Sequence, residues 1–244
     1  MTQSPELAEA TLQQGLVALS LPDAPRVARV LMQYAALLLD ANKRTNLVGP
    51  VDLDKLIVHH LLDSLAPLAS RRFRPPIVDV GSGAGLPGIP VAIVYPRASM
   101  TLIEPRRLRA EFLESTVRAL DLSNVQIVRS AAESVGRSAA SREQAGTVLM
   151  RAIGKPEVAL ELGLPLLKHS GELWLYRGRD TAPDKQALDV ANLLGGALAS
   201  SHRIEVPGLE ADRHLWVFRK VTPTPKGYPR RSGIPDRDPI RAVK

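Results

Sequence analysis

Residues 77–88 read Ile-Val-Asp-Val-Gly-Ser-Gly-Ala-Gly-Leu-Pro-Gly, a β-rich run that passes directly into glycines and then into a helical stretch. Glycines at such a junction let the backbone turn sharply and approach a ligand with no Cβ in the way. Pro87 and Pro90 suit the first helical turn, where a missing N–H costs no ladder bond. Further β-rich runs follow, at Thr101 to Glu104, Val125 to Val128, Thr147 to Ile153, Glu172 to Tyr176, His202 to Val206 and Leu215 to Val221. Between the first five lie helical stretches containing Ile89 to Val94, Leu108 to Leu120, Ala131 to Val135 and Pro156 to Leu167. This alternation predicts an α/β fold, a parallel sheet covered by helices on both faces. The last two runs lie close together with no helical pattern between them, so an antiparallel pair is expected at one edge.

Before Pro75 and Pro76 the chain reads as helices. Val27, Val30, Leu31, Tyr34, Leu37 and Leu38 fall at helical spacing and predict an amphipathic helix over Ala24 to Ala41. A weaker helix precedes it, and another covers Leu53 to Ala69. After Val221 the character changes again. Thr222 to Lys244 holds five prolines, six basic residues and two acidic ones, without apolar periodicity. It reads as an extended basic arm, and Lys226, Arg230, Arg231 and Arg237 are its candidate contacts to nucleic-acid phosphates, with Arg241 and Lys244 beyond them. Such an arm is expected to contribute little to the fold. The predicted organisation is thus a helical extension over 1–74, a sheet domain over 75–221 and an arm over 222–244.

The 244 residues, 45% hydrophobic and 23% charged, suffice for a sizeable core. A net charge of +7 suits a polyanionic partner. With no cysteine, thiolate metal sites and a cysteine nucleophile are excluded. His169, His202 and His214 lack ligand company, and no metal site is expected. No apolar run reaches the roughly 20 residues of a membrane span, and Met1 to Glu9 carries no basic-then-apolar leader, so a cytoplasmic protein is expected.

The glycine loop admits two registers. Gly83-x-Gly85-x-x-Gly88 matches the dinucleotide fingerprint and would make the chain an NAD(P)-dependent oxidoreductase. Asp79-x-Gly81-x-Gly83-x-Gly85 matches the loop of nucleotide-fold methyltransferases. The first register leaves Asp79 inside the strand as a buried, unpaired carboxylate, at a cost of several kcal/mol. The second sets Asp79 at the strand end, facing the cationic amino end of S-adenosylmethionine. Glu104, 25 residues after Asp79, is placed to accept from both ribose hydroxyls and fits either cofactor. In such folds the turn at Ser130-Ala131-Ala132-Glu133 meets the adenine ring, although Glu133 also suits a plain helix start. Arg151 ends the fourth run and opens into the ligand crevice.

The residues resemble those of a specific family, the ribosomal small-subunit RNA methyltransferase G proteins, once called glucose-inhibited division protein B. The matching segments include Asn46-Leu47, His60-Leu61-Leu62-Asp63-Ser64, Asp79 through Pro90, Phe112-Leu113, Arg151-Ala152, Pro165-Leu166-Leu167, His214-Leu215 and Tyr228 through Pro235. The resemblance implies a Rossmann-like, seven-stranded S-adenosylmethionine-dependent methyltransferase sheet with N-terminal helices. It implies 16S rRNA as substrate, at N7 of one guanine in a decoding-region loop, met as naked RNA, the small ribosomal subunit or an assembly intermediate. Carried over residue by residue, the cofactor positions are Gly81, Leu86, Ala132, Glu133 and Arg151, with Glu104 at the ribose. Three positions depart from the family pattern: Ala131 stands for a common arginine, Leu108 for a common lysine, and Arg177-Gly178 for Lys-Gly.

The N7 lone pair lies in the plane of the base and carries no proton, so transfer to it needs alignment more than a general base. Arg151 and Arg177 are candidates to bind O6 or a phosphate, and His60 to face the substrate or to pack the N-terminal helices. Cytosine C5 is set aside by the absent cysteine. Adenine amino methylation is set aside because Arg151-Ala152-Ile153 replaces the Asn/Asp-Pro-Pro-aromatic turn it uses. A non-catalytic ribosome-binding module is the remaining alternative, and a monomer is expected.

Overall fold

The computed structural model describes residues 4–241. Ser4 caps α1 (Pro5–Ala18), and α2 (Ala24–Thr45) buries Val27, Ala28, Leu31, Tyr34, Ala35 and Leu38 along one face, the helical spacing read from the sequence. Helix α2 runs past Ala41 to Thr45. The Asn42 side chain then accepts from the Leu47 (2.6 Å) and Val48 (3.0 Å) amides and turns the chain away. The expected single helix over Leu53 to Ala69 is segmented: α3 (Leu53–Leu56) passes into a π-helical turn (Ile57–Leu62), α4 (Asp63–Leu65) and a 3₁₀ turn (Ala66–Ala69).

Seven strands form one sheet: β1 (Ile77–Val80), β2 (Met100–Ile103), β3 (Val125–Val128), β4 (Ala145–Arg151), β5 (Leu167–Arg177), β6 (Gly196–Arg203) and β7 (His214–Lys220), in the order 3-2-1-4-5-7-6. Strands β1 to β5 are mutually parallel, and β7 lies antiparallel between β5 and β6. The antiparallel pair sits at the edge, as expected, but β6 begins six residues earlier than its apolar run suggested. Between the strands run α5 (Gly88–Val94), α6 (Arg107–Ala119), α7 (Ala132–Arg137), α8 (Pro156–Gly163) and α9 (Lys185–Leu193). Helix α9 escaped the sequence reading, though Asp184 caps its Ala187 amide and Ala187, Val190 and Ala191 line its buried face.

One core on one sheet face joins α1, α2 and the π turn to α5 and α6, with Leu31, Leu61, Ile89, Leu102 and Leu113 in the same cluster. The N-terminal helices are therefore continuous with the sheet's packing and do not form a separate body before Pro75. The other face packs α7, α8 and α9, and Ile240 of the arm belongs to that cluster.

The arm differs from its expectation. It is docked, with Thr224, Pro235 and Ile240 buried and α10 (Ile234–Arg237) within it. The wholly buried Glu161 carboxylate of α8 accepts from the Arg230 amide (2.8 Å), Nε (2.9 Å) and Nη2 (2.7 Å). Arg142 donates to the carbonyls of Thr224 (2.7 Å) and Tyr228 (2.7 Å), and Arg137 to that of Pro229 (2.9 Å). Arg237 bonds the Gly233 carbonyl within the arm, while Lys226 and Arg231 are exposed. Lys244 lies outside the described residues.

Candidate functional site

The strand order reverses between β1 and β4, and the crevice at the carboxyl ends of these strands is where open α/β sheets take ligands. The glycine loop occupies it. The Gly81 and Ser82 amides donate to the Ile103 carbonyl (2.9 and 3.1 Å), folding the loop over the end of β2. Gly81 and Gly83 both lie at positive φ, +71° and +56°, and a Cβ at either would make only ordinary contacts, 3.8 Å from Ile153 and 3.7 Å from Arg109. At Gly85 and Gly88 the space is taken by protein: a Cβ would stand 2.6 Å from Ile89 and 2.3 Å from Leu102. Gly81 and Gly83 thus leave room beside the loop, whereas Gly85 and Gly88 serve packing, which favours the register beginning at Asp79.

Asp79 itself lines neither cavity at this end of the sheet. Its side chain is 1% exposed and turns behind the loop, where Oδ2 accepts from the Gly88 amide (3.1 Å). It is buried but paired, so the objection raised from sequence against the dinucleotide register does not hold as stated. Burial pushes its carboxyl up to about 7, with the Gly88 amide opposing. Glu104 is also buried, and its two oxygens accept from the Gly83 (2.9 Å) and Arg106 (2.8 Å) amides, bracing the loop from the β2 end. Tyr34 of α2 donates to the Ala84 carbonyl (2.6 Å), so the N-terminal helices also hold the loop.

A cavity of about 330 Å³ opens against this loop, with Leu47, His60, Gly81, Gly83, Leu86, Arg109 and Arg151 on its walls. Beside it, a second cavity of about 430 Å³ is walled by His59, Asp63, Tyr176, Arg177 and Arg213. His60, Arg151 and Ala152 belong to both. A larger cavity of about 620 Å³, near Pro75 and Pro96 at the opposite ends of the strands, is lined mainly by apolar groups and has no comparable cluster.

The shared wall is built by Arg151. Its Nη1 donates to Asp63 Oδ2 (3.1 Å), Ser64 Oγ (3.0 Å) and the His60 carbonyl (3.2 Å), and Nη2 meets His60 Nδ1 at 2.8 Å. The other Asp63 oxygen accepts from Arg213 Nε (2.7 Å), so one nearly buried carboxylate holds two guanidiniums. The π turn is what brings His60, Asp63 and Ser64 together over the end of β4; such turns interrupt α-helices at functional positions. Burial, helped by the positive charge of Arg151, holds the His60 imidazole down to about 4. Arg177 lines the second cavity but is engaged by the Ile153 and Gly154 carbonyls and by Asp180, with its guanidinium 4.9 Å over the Trp216 ring. It braces the loop after β4.

Gly81, Gly83, Leu86, His60 and Arg151 line one cavity, and Arg177 lines the one beside it. Ala132 and Glu133 line neither cavity: the Glu133 carboxylate accepts from the arm's Gly233 amide (2.8 Å). Leu47, Arg109, Tyr176 and Arg213 were not singled out as site residues. Leu47 and Arg213 sit in or beside matching segments, which was the available signal.

The model of the family described as rRNA small subunit methyltransferase G matches residues 28–215. The chain belongs to this family. It is 38% identical over 201 residues to the ribosomal RNA small subunit methyltransferase G of Chloroflexus aggregans, spanning 82% of this chain and 84% of that relative. The protein of the same name from Carboxydothermus hydrogenoformans is 38% identical over 210 residues, 85% of this chain and 89% of the relative. Among solved structures, a variant of the 16S rRNA (adenine(1408)-N(1))-methyltransferase from Catenulisporales acidiphilia is 23% identical over 60% of this chain and 85% of its own, with a TM-score of 0.48, an overlap from which nothing about the site follows. Family membership sets aside the oxidoreductase register. The arm lies beyond the matched segment. No helix among the described residues is long and apolar enough to cross a membrane.

Proposed function

We propose that this protein transfers the methyl group of S-adenosylmethionine to N7 of a guanine in a decoding-region loop of 16S rRNA, acting as a monomer in the cytoplasm. The observation that carries the reading is the wall of His60, Arg151 and Ala152 shared by two cavities, one against the glycine loop and one against a cationic cluster. Support for the donor comes from the room beside the loop at Gly81 and Gly83, which a side chain would fill. When bound, the cofactor supplies an electrophilic methyl on a sulfonium. Gly81, Gly83, Leu47 and Leu86 would hold it, and Glu104, buried and lining neither cavity, would serve by fixing the Gly83 amide in the loop.

On the other side, Arg151, Arg213 and Arg177 concentrate positive charge around Asp63, which favours entry of an RNA nucleotide. The chain must orient the base and exclude water; N7 has no proton to lose, and no residue here is asked to take one. Small-subunit particles lacking the modification, incubated with labelled cofactor, should acquire label at a single guanine that becomes susceptible to strand scission at N7-methylated sites. Label on another base, or none with a cofactor-binding protein, would overturn the reading.

A further inference from the structure

We propose that His60 reads the target base: its Nε2–H donates to guanine O6 and so selects guanine over adenine. The inference rests on the guanine-N7 reading above. Arg151 Nη2 lies 2.8 Å from His60 Nδ1, and a guanidinium has donors only. Nδ1 is therefore the acceptor, and the ring's proton is on Nε2. Arg151 Nη1 holds the His60 carbonyl as well, so ring and backbone are gripped by one fork.

The groups facing the ring are Arg151 from β4, Arg213 from the start of β7, His59 beside it in the π turn, and Asp63, whose charge the two arginines share. Burial, with the positive charges of Arg151, His59 and Arg213, disfavours the imidazolium, and His60 stays neutral across the ordinary pH range. A neutral ring whose Nδ1 is occupied can donate from Nε2 but cannot act there as a base. No group among the described residues takes up Nε2, and His60 lines both cavities.

Guanine presents N7 and O6, both acceptors, on the same edge. A donor to O6 fixes the base in plane and leaves the N7 lone pair free for transfer. Adenine presents N7 beside an amino donor, which would meet the His60 N–H donor to donor. Selection for the base and protection of its nucleophile thus come from one hydrogen bond.

Single-turnover transfer would be measured on small-subunit RNA carrying guanine or 2-aminopurine, which keeps N7 and lacks O6, at the target position. The wild type should be about tenfold or more slower on 2-aminopurine. His60→Ala should lose about the same factor on guanine and lose little more on 2-aminopurine. His60→Gln, whose amide can donate, should recover part of the guanine rate. The wild-type rate on guanine should stay flat between about pH 6 and 9, as a donor that stays neutral there requires; a rise across that range would contradict a neutral His60. Equal slowing of both substrates by His60→Ala, or equal wild-type rates on both, overturns the proposal. If His60→Ala does not fold, the wild-type and His60→Gln comparisons decide. A wild type inactive on guanine RNA would instead refute the parent reading.

Discussion

Arg230→Ala distinguishes a docked arm from a free one. The Glu161 carboxylate is wholly buried, and three of its four donor contacts come from the Arg230 guanidinium, the fourth from the Arg230 amide. Alanine removes the first three and strands a buried charge on one backbone donor. Breaking a buried pair from one side costs about 3–5 kcal/mol. The Arg230 side chain is 24% exposed, so water can partly replace it and the lower end, about 3 kcal/mol, applies. For a chain of this size each kcal/mol moves Tm by roughly 2–4 °C, giving a fall of about 6–12 °C in thermal denaturation. Adding Glu161→Gln to Arg230→Ala should recover much of it, because a neutral amide costs less to bury than a carboxylate. A single variant within about 1 °C of wild type would refute the docking and return the arm to an RNA-anchoring tail.

Gly83→Val should leave a folded protein without measurable cofactor binding in calorimetry, since its Cβ enters the cavity and its φ of +56° adds strain of about 1–3 kcal/mol; unchanged affinity would remove the loop from the site. Arg151→Ala should cut methyl transfer at least about tenfold, or ~1.4 kcal/mol at the transition state, and also lower Tm by leaving Asp63 with Arg213 alone. Arg151→Lys should not restore the rate, because an ammonium cannot make the same fork; near-normal turnover in either variant would sink the assignment. Asp79 prefers its protonated form when folded, with a value raised to about 7, so its contribution is present at low pH and is lost as pH rises from about 4 to 7. Asp79→Asn should therefore raise Tm relative to wild type more at about pH 8 than at about pH 5 and least near pH 4; equal effects at about pH 5 and 8 would contradict that burial.

What the sequence determined by itself is what short-range pattern controls. The glycine loop shows its place in the chain because strand, turn and helix are adjacent in sequence, and the buried face of α2 shows because its residues recur within a few positions. The family resemblance assigned Gly81, Leu86 and Arg151 to the cofactor, and in the tertiary structure these line one crevice with Gly83 and His60. Even locally the pattern had limits: the exposed β6 has few apolar residues, and α9 was missed although it is longer than α5, α7 and α8.

The remaining outcomes depended on partners distant in the chain. Asp79 turned inward because the Gly88 amide and the packing at Leu102 close the space behind the loop, a fact of three dimensions that no spacing records. Arg230 looked like a phosphate contact because its partner, Glu161, is 69 residues away. Glu133 looked like an adenine contact because Gly233, which engages it, is 100 residues away. Arg151 and Asp63, 88 residues apart, became a shared wall only when the π turn and the end of β4 met. A charged side chain in sequence carries its chemistry but not its counterion, and burial makes that counterion decisive, because an ion removed from water is stable only where a fixed partner replaces the solvent.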